Sequence, residues 1–119
     1  MPVNPTGADL KRFLAEDDGR EVVMLNLLKF AEGGRPSYER YAQEISRFLD
    51  EVGAEIVYLG DCGTLVVGTD AHDWDAVLLV RYPTRQAFSD MVRNPEYQQI
   101  TSLRTEALGD AILQATSPW

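Results

Sequence analysis

The chain predicts an α+β domain carried on a four-stranded antiparallel sheet, and three features predict it. Two segments, VVMLNLLKF (22–30) and WDAVLLVRYP (74–83), are rich in strand-forming apolar residues. Apolar positions recur at helical spacing between and after them. The resulting order is a short helix followed by β-α-β-β-α-β, the split βαβ arrangement of ferredoxin-like domains. The two apolar segments fill both parities: Val22, Val23, Met24, Leu25, Leu27 and Leu28 in one, Val77, Leu78, Leu79 and Val80 in the other. A one-sided antiparallel strand would alternate apolar and polar residues. Helices cover one face of such a sheet. In a chain of 119 residues the simplest cover for the other is a second copy, so a homodimer is expected.

The elements follow in order. Thr6 and Asp9 stand in capping-box positions, with Leu10, Phe13 and Leu14 at helical spacing behind them, so a leading helix is expected over 7–17. Strand one is expected over 21–30. After the loop AEGGRPS, Ser37 is a candidate N-cap. Tyr38, Tyr41, Ala42, Ile45, Phe48, Leu49 and Val52 then form an amphipathic stripe that ends at Gly53. Strand two is expected over 54–59, interrupted by Gly60 and Gly63 and continued in extended form by TLVVG (64–68). Strand three is expected over 74–82. Thr84 can cap the next helix, whose buried stripe is Ala87, Phe88, Met91 and Val92. Asn94-Pro95 restarts that helix as a short second piece. A weak fourth strand is expected over 110–115. One domain over residues 1–119 accommodates all of this.

Composition narrows the function classes. The net charge of −8 disfavours phosphate backbones and anionic membranes, so neither nucleic acid nor membrane is an expected partner. No apolar run has a membrane-spanning length. The start MPVNPTGADLKRF lacks the pattern of a secretory signal. The single cysteine, Cys62, excludes an internal disulfide, and a cytoplasmic home is expected. No metal-ligand spacing, phosphate loop or nucleophile elbow is present, so no cofactor and no metal are expected.

Several short motifs resemble a known family. They are NLLKF (26–30), WDAVLLVRYPT (74–84), NPEY (94–97) and Arg104. Together, over most of residues 20–116, they resemble a bacterial family of unknown function within the dimeric α/β-barrel superfamily. That resemblance implies two four-stranded sheets packed face to face in a homodimer, with helices outside. It implies no particular reaction: cofactor-free monooxygenases, cyclases, lactone isomerases and haem enzymes share the architecture. The leading helix lies outside the resemblance.

Candidate site residues come from polar groups in apolar surroundings. Asn26 interrupts an apolar strand; its amide makes a structural contact to a loop or partner backbone, or it contacts a ligand. Tyr41, with Tyr38, lies on the inward stripe of the first long helix. Tyr97, Ile100 and Arg104 share one face of the last helix, which sets an arginine on a sheet-facing surface. A buried guanidinium needs a partner. Glu44, Asp110 or a ligand carboxylate are the alternatives. Trp74 belongs to the core, the dimer interface or a pocket wall. Lys29 is expected to be solvated or salt-bridged. His72, alone in the acidic loop DAHDWD, is either exposed or a general base. Cys62 has no basic neighbour in sequence and reads as inert. Trp119 is expected at a frayed end.

Asn26, Tyr41, Trp74, Tyr97 and Arg104 are therefore the candidate substrate-binding set, for a small anionic or enolisable organic ligand. The corresponding function is a cofactor-independent isomerase, cyclase or oxygenase. The alternative is a ligand-binding or structural homodimer without catalysis.

Overall fold

A computed structural model of the chain describes residues 3–119. Helix α1 (Gly7–Ala15) starts at the expected capping box: Asp9 N–H donates to the Thr6 hydroxyl at 3.1 Å and Thr6 N–H to the Asp9 carboxylate at 2.9 Å. Strand β1 (Val22–Phe30) leads to α2 (Arg35–Glu44) and α3 (Ser46–Glu51), which meet at Ile45. Then come β2 (Glu55–Asp61), β3 (Ala76–Tyr82), α4 (Arg85–Arg93), α5 (Pro95–Ala107) and β4 (Leu108–Thr116). The strands form one antiparallel sheet in the order β2-β3-β1-β4. The expected α+β, ferredoxin-like fold with an added N-terminal helix is the one observed.

Several boundaries differ from the sequence reading. Helix α2 begins at Arg35, two residues before Ser37, with Gly34 in the cap position and Pro36 in its first turn. Ser37 instead donates its hydroxyl to Leu103 O at 2.9 Å, tying α2 to α5. Gly34 is required for the same approach: a Cβ there would run into the Ala107 carbonyl. Strand β2 continues through Gly60, and its register shift falls earlier, between Ile56 and Tyr58. TLVVG is not strand but exposed loop. Strand β3 begins at Ala76, so Trp74 precedes it. The piece after Asn94-Pro95 is a 13-residue helix rather than a short one, capped by the Asn94 side chain on Glu96 N–H at 2.9 Å. Strand β4 is 9 residues long despite its weak propensity, because pairing with β1 along its length supplies what its residues do not.

The two sheet faces have different surroundings. Val22, Met24, Asn26 and Leu28 of β1 and Ala76, Leu78, Val80 and Tyr82 of β3 point to the helices and are buried. The α2–α3 stripe meets them: Tyr38, Tyr41, Ile45, Phe48 and Leu49 are all buried, with Phe48 at 1% exposure. Ala87, Phe88 and Met91 of α4 complete this core, while Val92 is only half-buried. On the opposite face, Leu25 pairs with Leu79 and Leu27 with Val77 and Ile112. No helix covers this second face, and these residues stay partly exposed.

Candidate functional site

Arg104 is the residue around which the site is built. It stands on α5 one turn from that helix's end, and its side chain turns under the helix to the sheet side, leaving the residue 7% exposed. No carboxylate meets it among the described residues. Glu44 pairs with Arg40 on the surface, and the Asp110 carboxylate accepts from Ala111 N–H. The internal acids expected as partners are therefore not the partners. The Arg104 guanidinium donates to the Val3 carbonyl and, at 2.9 Å, to the Asn4 side-chain oxygen. Both acceptors are neutral. They come from the segment before α1, which Asn4 Nδ2 fastens to Thr105 Oγ1 at 3.0 Å.

Four tyrosines surround the same space. Tyr38 and Tyr41 arrive from α2, Tyr97 from α5 and Tyr82 from β3. The Tyr41 and Tyr97 hydroxyls share a hydrogen bond of 2.7 Å. Tyr82 O–H lies 4.0 Å from the Met91 sulfur. Tyr38 is different: at 3% exposure its hydroxyl has no hydrogen-bond partner among the described residues. Burial pushes the Tyr38 phenol up to about 12, with the Arg104 charge pulling the other way. Burial likewise raises Tyr41, Tyr82 and Tyr97 above the ordinary phenol value. All four are neutral hydroxyls at physiological pH.

These side chains line a cavity of about 70 Å³ between the helices and the sheet. Asn26 forms part of its floor, with Nδ2 donating to Met24 O at 3.4 Å and Leu78 O at 3.3 Å. The amide nitrogen is thus a structural contact, made to carbonyls of its own sheet rather than to a loop, while the residue still borders the cavity. Arg104 is the one charged residue in the described lining.

The structure brings together four of the five candidate residues, Asn26, Tyr41, Tyr97 and Arg104. Trp74 lies elsewhere, in an open depression with Leu27, Cys62 and His72. His72 accepts from Thr69 N–H at 3.1 Å through Nδ1 and is exposed, as is Cys62. Lys29 is salt-bridged to Asp73 at 2.9 Å and Asp75 at 3.5 Å. Trp119 is fully exposed. Among the described residues no cluster of three or more His, Cys, Asp or Glu is placed to hold a metal, and no helix is long and apolar enough to cross a membrane. Sequence reasoning missed Tyr82 and Asn4. Tyr82 shares the parity of Leu78, opposite Asn26, so strand register would have placed it on the inner face. Asn4 is 100 positions from Arg104 and carries no sequence signal of that contact.

A comparison with curated proteins finds no match. Among solved structures, the chain is similar to RPA0582, a protein of unknown function from Rhodopseudomonas palustris. The two are 26% identical with a TM-score of 0.89, over 98% of this chain and 96% of that one. A dimeric ferredoxin-like protein of unknown function from Thermobifida fusca is 12% identical, with a TM-score of 0.57 over 85% of this chain and 93% of the other. The hydroxynitrile lyase of Passiflora edulis is 8% identical, with a TM-score of 0.64 over 82% and 93%. The last two likenesses are of fold alone. Residues 29–114 match the family described as a domain of unknown function, DUF1330. The match starts at Lys29, so most of the NLLKF motif precedes it. The chain belongs to the DUF1330 family.

Proposed function

We propose that this protein is a cytoplasmic homodimer that binds a small anionic or enolisable organic molecule beside Arg104. One observation carries the reading: a guanidinium at 7% exposure has only neutral acceptors and borders a cavity into which a partnerless tyrosine hydroxyl is buried. Burying a cation without a counter-charge is costly, and an anion in the cavity would relieve that cost. The Tyr38 hydroxyl would gain a partner at the same time. Tyr41, Tyr97 and Asn26 supply the remaining polar surface, set in an apolar shell as in small-molecule sites generally.

The chemistry such a pocket could support is stabilisation of charge developing on oxygen. Arg104 and a tyrosine O–H aimed at an enolate would do this without a cofactor. An isomerase, cyclase or oxygenase of a small metabolite is the catalytic form of the proposal. The second reading is binding without turnover. It is favoured by the lining itself, which holds no carboxylate and no histidine among the described residues, and whose phenols stay protonated. A general base for proton abstraction would have to come from the substrate.

The dimer is supported by the uncovered apolar sheet face and by similarity to proteins described as dimeric. An exposed apolar face of this kind usually marks an interaction surface.

Native mass spectrometry of freshly purified protein tests the site. A copurified organic acid, present in the wild type and lost in Arg104→Met, is the expected result. An Arg104→Met variant with a lower melting temperature and no ligand-specific difference would make the arginine purely structural.

A further inference from the structure

The same segment that satisfies Arg104 also divides two spaces. Asn4 and Pro5 line the inner cavity of about 70 Å³. They also line an open groove of about 400 Å³ between α1 and the β4 side of the sheet. Met24, Phe88 and Leu113 border both. The inner cavity alone has room for little more than a carboxylate-sized group, since one water takes about 30 Å³ of liquid volume. With the segment moved aside, cavity and groove would become continuous and reach the size range of ordinary ligand pockets, roughly 300–1,000 Å³. The groove offers apolar surface from Leu10, Phe13, Phe88 and Leu113, and its charged lining residues are paired with one another, Arg12 with Asp9 and Arg85 with Glu16.

We infer that the ligand is an amphipathic monocarboxylate that exchanges with the Val3–Asn4 segment. Its carboxylate takes over the Arg104 hydrogen bonds now made to the Val3 carbonyl and the Asn4 side chain, and its hydrocarbon body lies along the groove. This inference rests on the site proposed above and adds its ligand class and its gate. Charge sets the class: one guanidinium is the whole charge of the described inner lining, so a single carboxylate neutralises it. The guanidinium already makes charge-assisted hydrogen bonds to neutral acceptors; a carboxylate in their place adds the attraction of a full opposite charge and can accept two parallel bonds from the guanidinium fork. The segment is suited to leave. Val3 is partly buried and residues 4–6 are exposed, and the helix behind them, α1, has no fully buried residue. Segments with so little burial open at low free-energy cost. Asn4 is therefore a residue that sets affinity from the outside, since the ligand competes with its side chain.

The test uses phenylacetate and octanoate as probes and phenylacetamide as the uncharged control, with affinities from calorimetry and amide exchange from mass spectrometry. Saturating phenylacetate is expected to speed exchange over residues 3–16 and slow it in α5. Asn4→Ala, which removes one competitor, should tighten phenylacetate by roughly 10- to 100-fold, the scale of one hydrogen bond to a charged group. Asn4→Asp places a carboxylate on Arg104 from within the chain and should weaken both probes by at least about tenfold. Phenylacetamide should bind neither variant nor wild type measurably. Binding of phenylacetate with unchanged N-terminal exchange, and with both Asn4 variants at wild-type affinity, would overturn the exchange and leave the anion site standing. Equal binding of phenylacetamide would overturn the charge recognition. Failure of both acids to bind the wild type and Asn4→Ala would overturn the site and the exchange together.

Discussion

Tyr41 and Tyr97 touch hydroxyl to hydroxyl, 2.7 Å apart, across the contact between α2 and α5. Each is buried, and each is the partner of the other. Removing one hydroxyl leaves the other without its protein partner in a buried setting. Tyr41→Phe and Tyr97→Phe should each cost about 1–3 kcal/mol, the penalty for an unsatisfied buried polar group. The double variant should cost clearly less than the two single costs added, because it leaves no orphan. Urea denaturation of all four proteins closes this cycle. Strict additivity would show that the contact carries no coupling.

Tyr38 presents the opposite case. Its hydroxyl is buried and has no partner among the described residues, so it burdens the fold. Tyr38→Phe should be neutral or stabilising by up to about 1–2 kcal/mol, since it removes an unsatisfied group while keeping the ring. Tilted ring contacts with Phe30 and Tyr41, at centroid distances of 5.8 and 5.4 Å, would survive. The same change should weaken any ligand held at Arg104. Stability gained at a site while binding is lost is the signature of a functional group. A Tyr38→Phe variant that is clearly destabilised would point to a structural bond through water instead.

The sequence carried much of the fold and less of the site, for identifiable reasons. Continuous apolar runs of strand length mark β1 and β3, and a period of 3.6 marks the α2–α3 stripe, because the residues there are large and turned to apolar surfaces. The Thr6–Asp9 and Thr84 caps were visible because capping depends on neighbours three residues away or fewer. TLVVG misled, since a β-branched run only forms strand if an edge is there to pair with. Here β2 ends at Asp61 and the chain turns away. The length of α5 was hidden by its low amphipathicity: Gln98, Gln99, Thr101 and Ser102 break the apolar stripe. Arg104, Tyr97, Tyr41 and Asn26 could be singled out because each is polar on an apolar face. Trp74 could not be separated from them, as its placement depends on β3 starting two residues after it. The Asn4 contact is a pure tertiary event and has no local pattern.

The buried tyrosines also predict how stability responds to alkali. Folding raises their ionisation above the unfolded phenol value near 10. The folded state therefore holds protons that the unfolded state releases. Their contribution is fully present below about pH 10 and is lost as pH rises toward and through the folded values, about 12 for Tyr38. Each tyrosine that stays protonated only in the folded state removes about 1.4 kcal/mol of stability per pH unit in that window. Denaturation midpoints should hold steady from neutral pH to about 9 and fall steeply beyond 10. Tyrosinate absorbance should then appear together with unfolding. Titration of all five tyrosines in the folded protein near the ordinary phenol value would contradict the burial of this cluster.

Leu78 and Leu79 are chain neighbours on opposite faces of β3, and they separate folding from assembly. Leu78 is 5% exposed and lies against the helices, where an aspartate would be an unpaired buried charge. Leu78→Asp should abolish cooperative folding. Leu79 is partly exposed on the uncovered face, beside Leu25 of β1 and Tyr58 of β2. In an isolated protomer an aspartate there would reach water from an already open surface. In a sheet-to-sheet dimer it would face the apolar residues of the second copy. Leu79→Asp should therefore keep the native circular dichroism and give a monomer by light scattering, while the wild type is a dimer at micromolar concentration. Further evidence would come from solubility: a sheet-to-sheet dimer would bury Leu25, Leu27, Val77, Leu79 and Ile112, whereas the monomeric variant would leave most of that face in water and should aggregate on warming. A wild type that is monomeric, or a Leu79→Asp variant that remains dimeric, would place the dimer contact elsewhere or remove it.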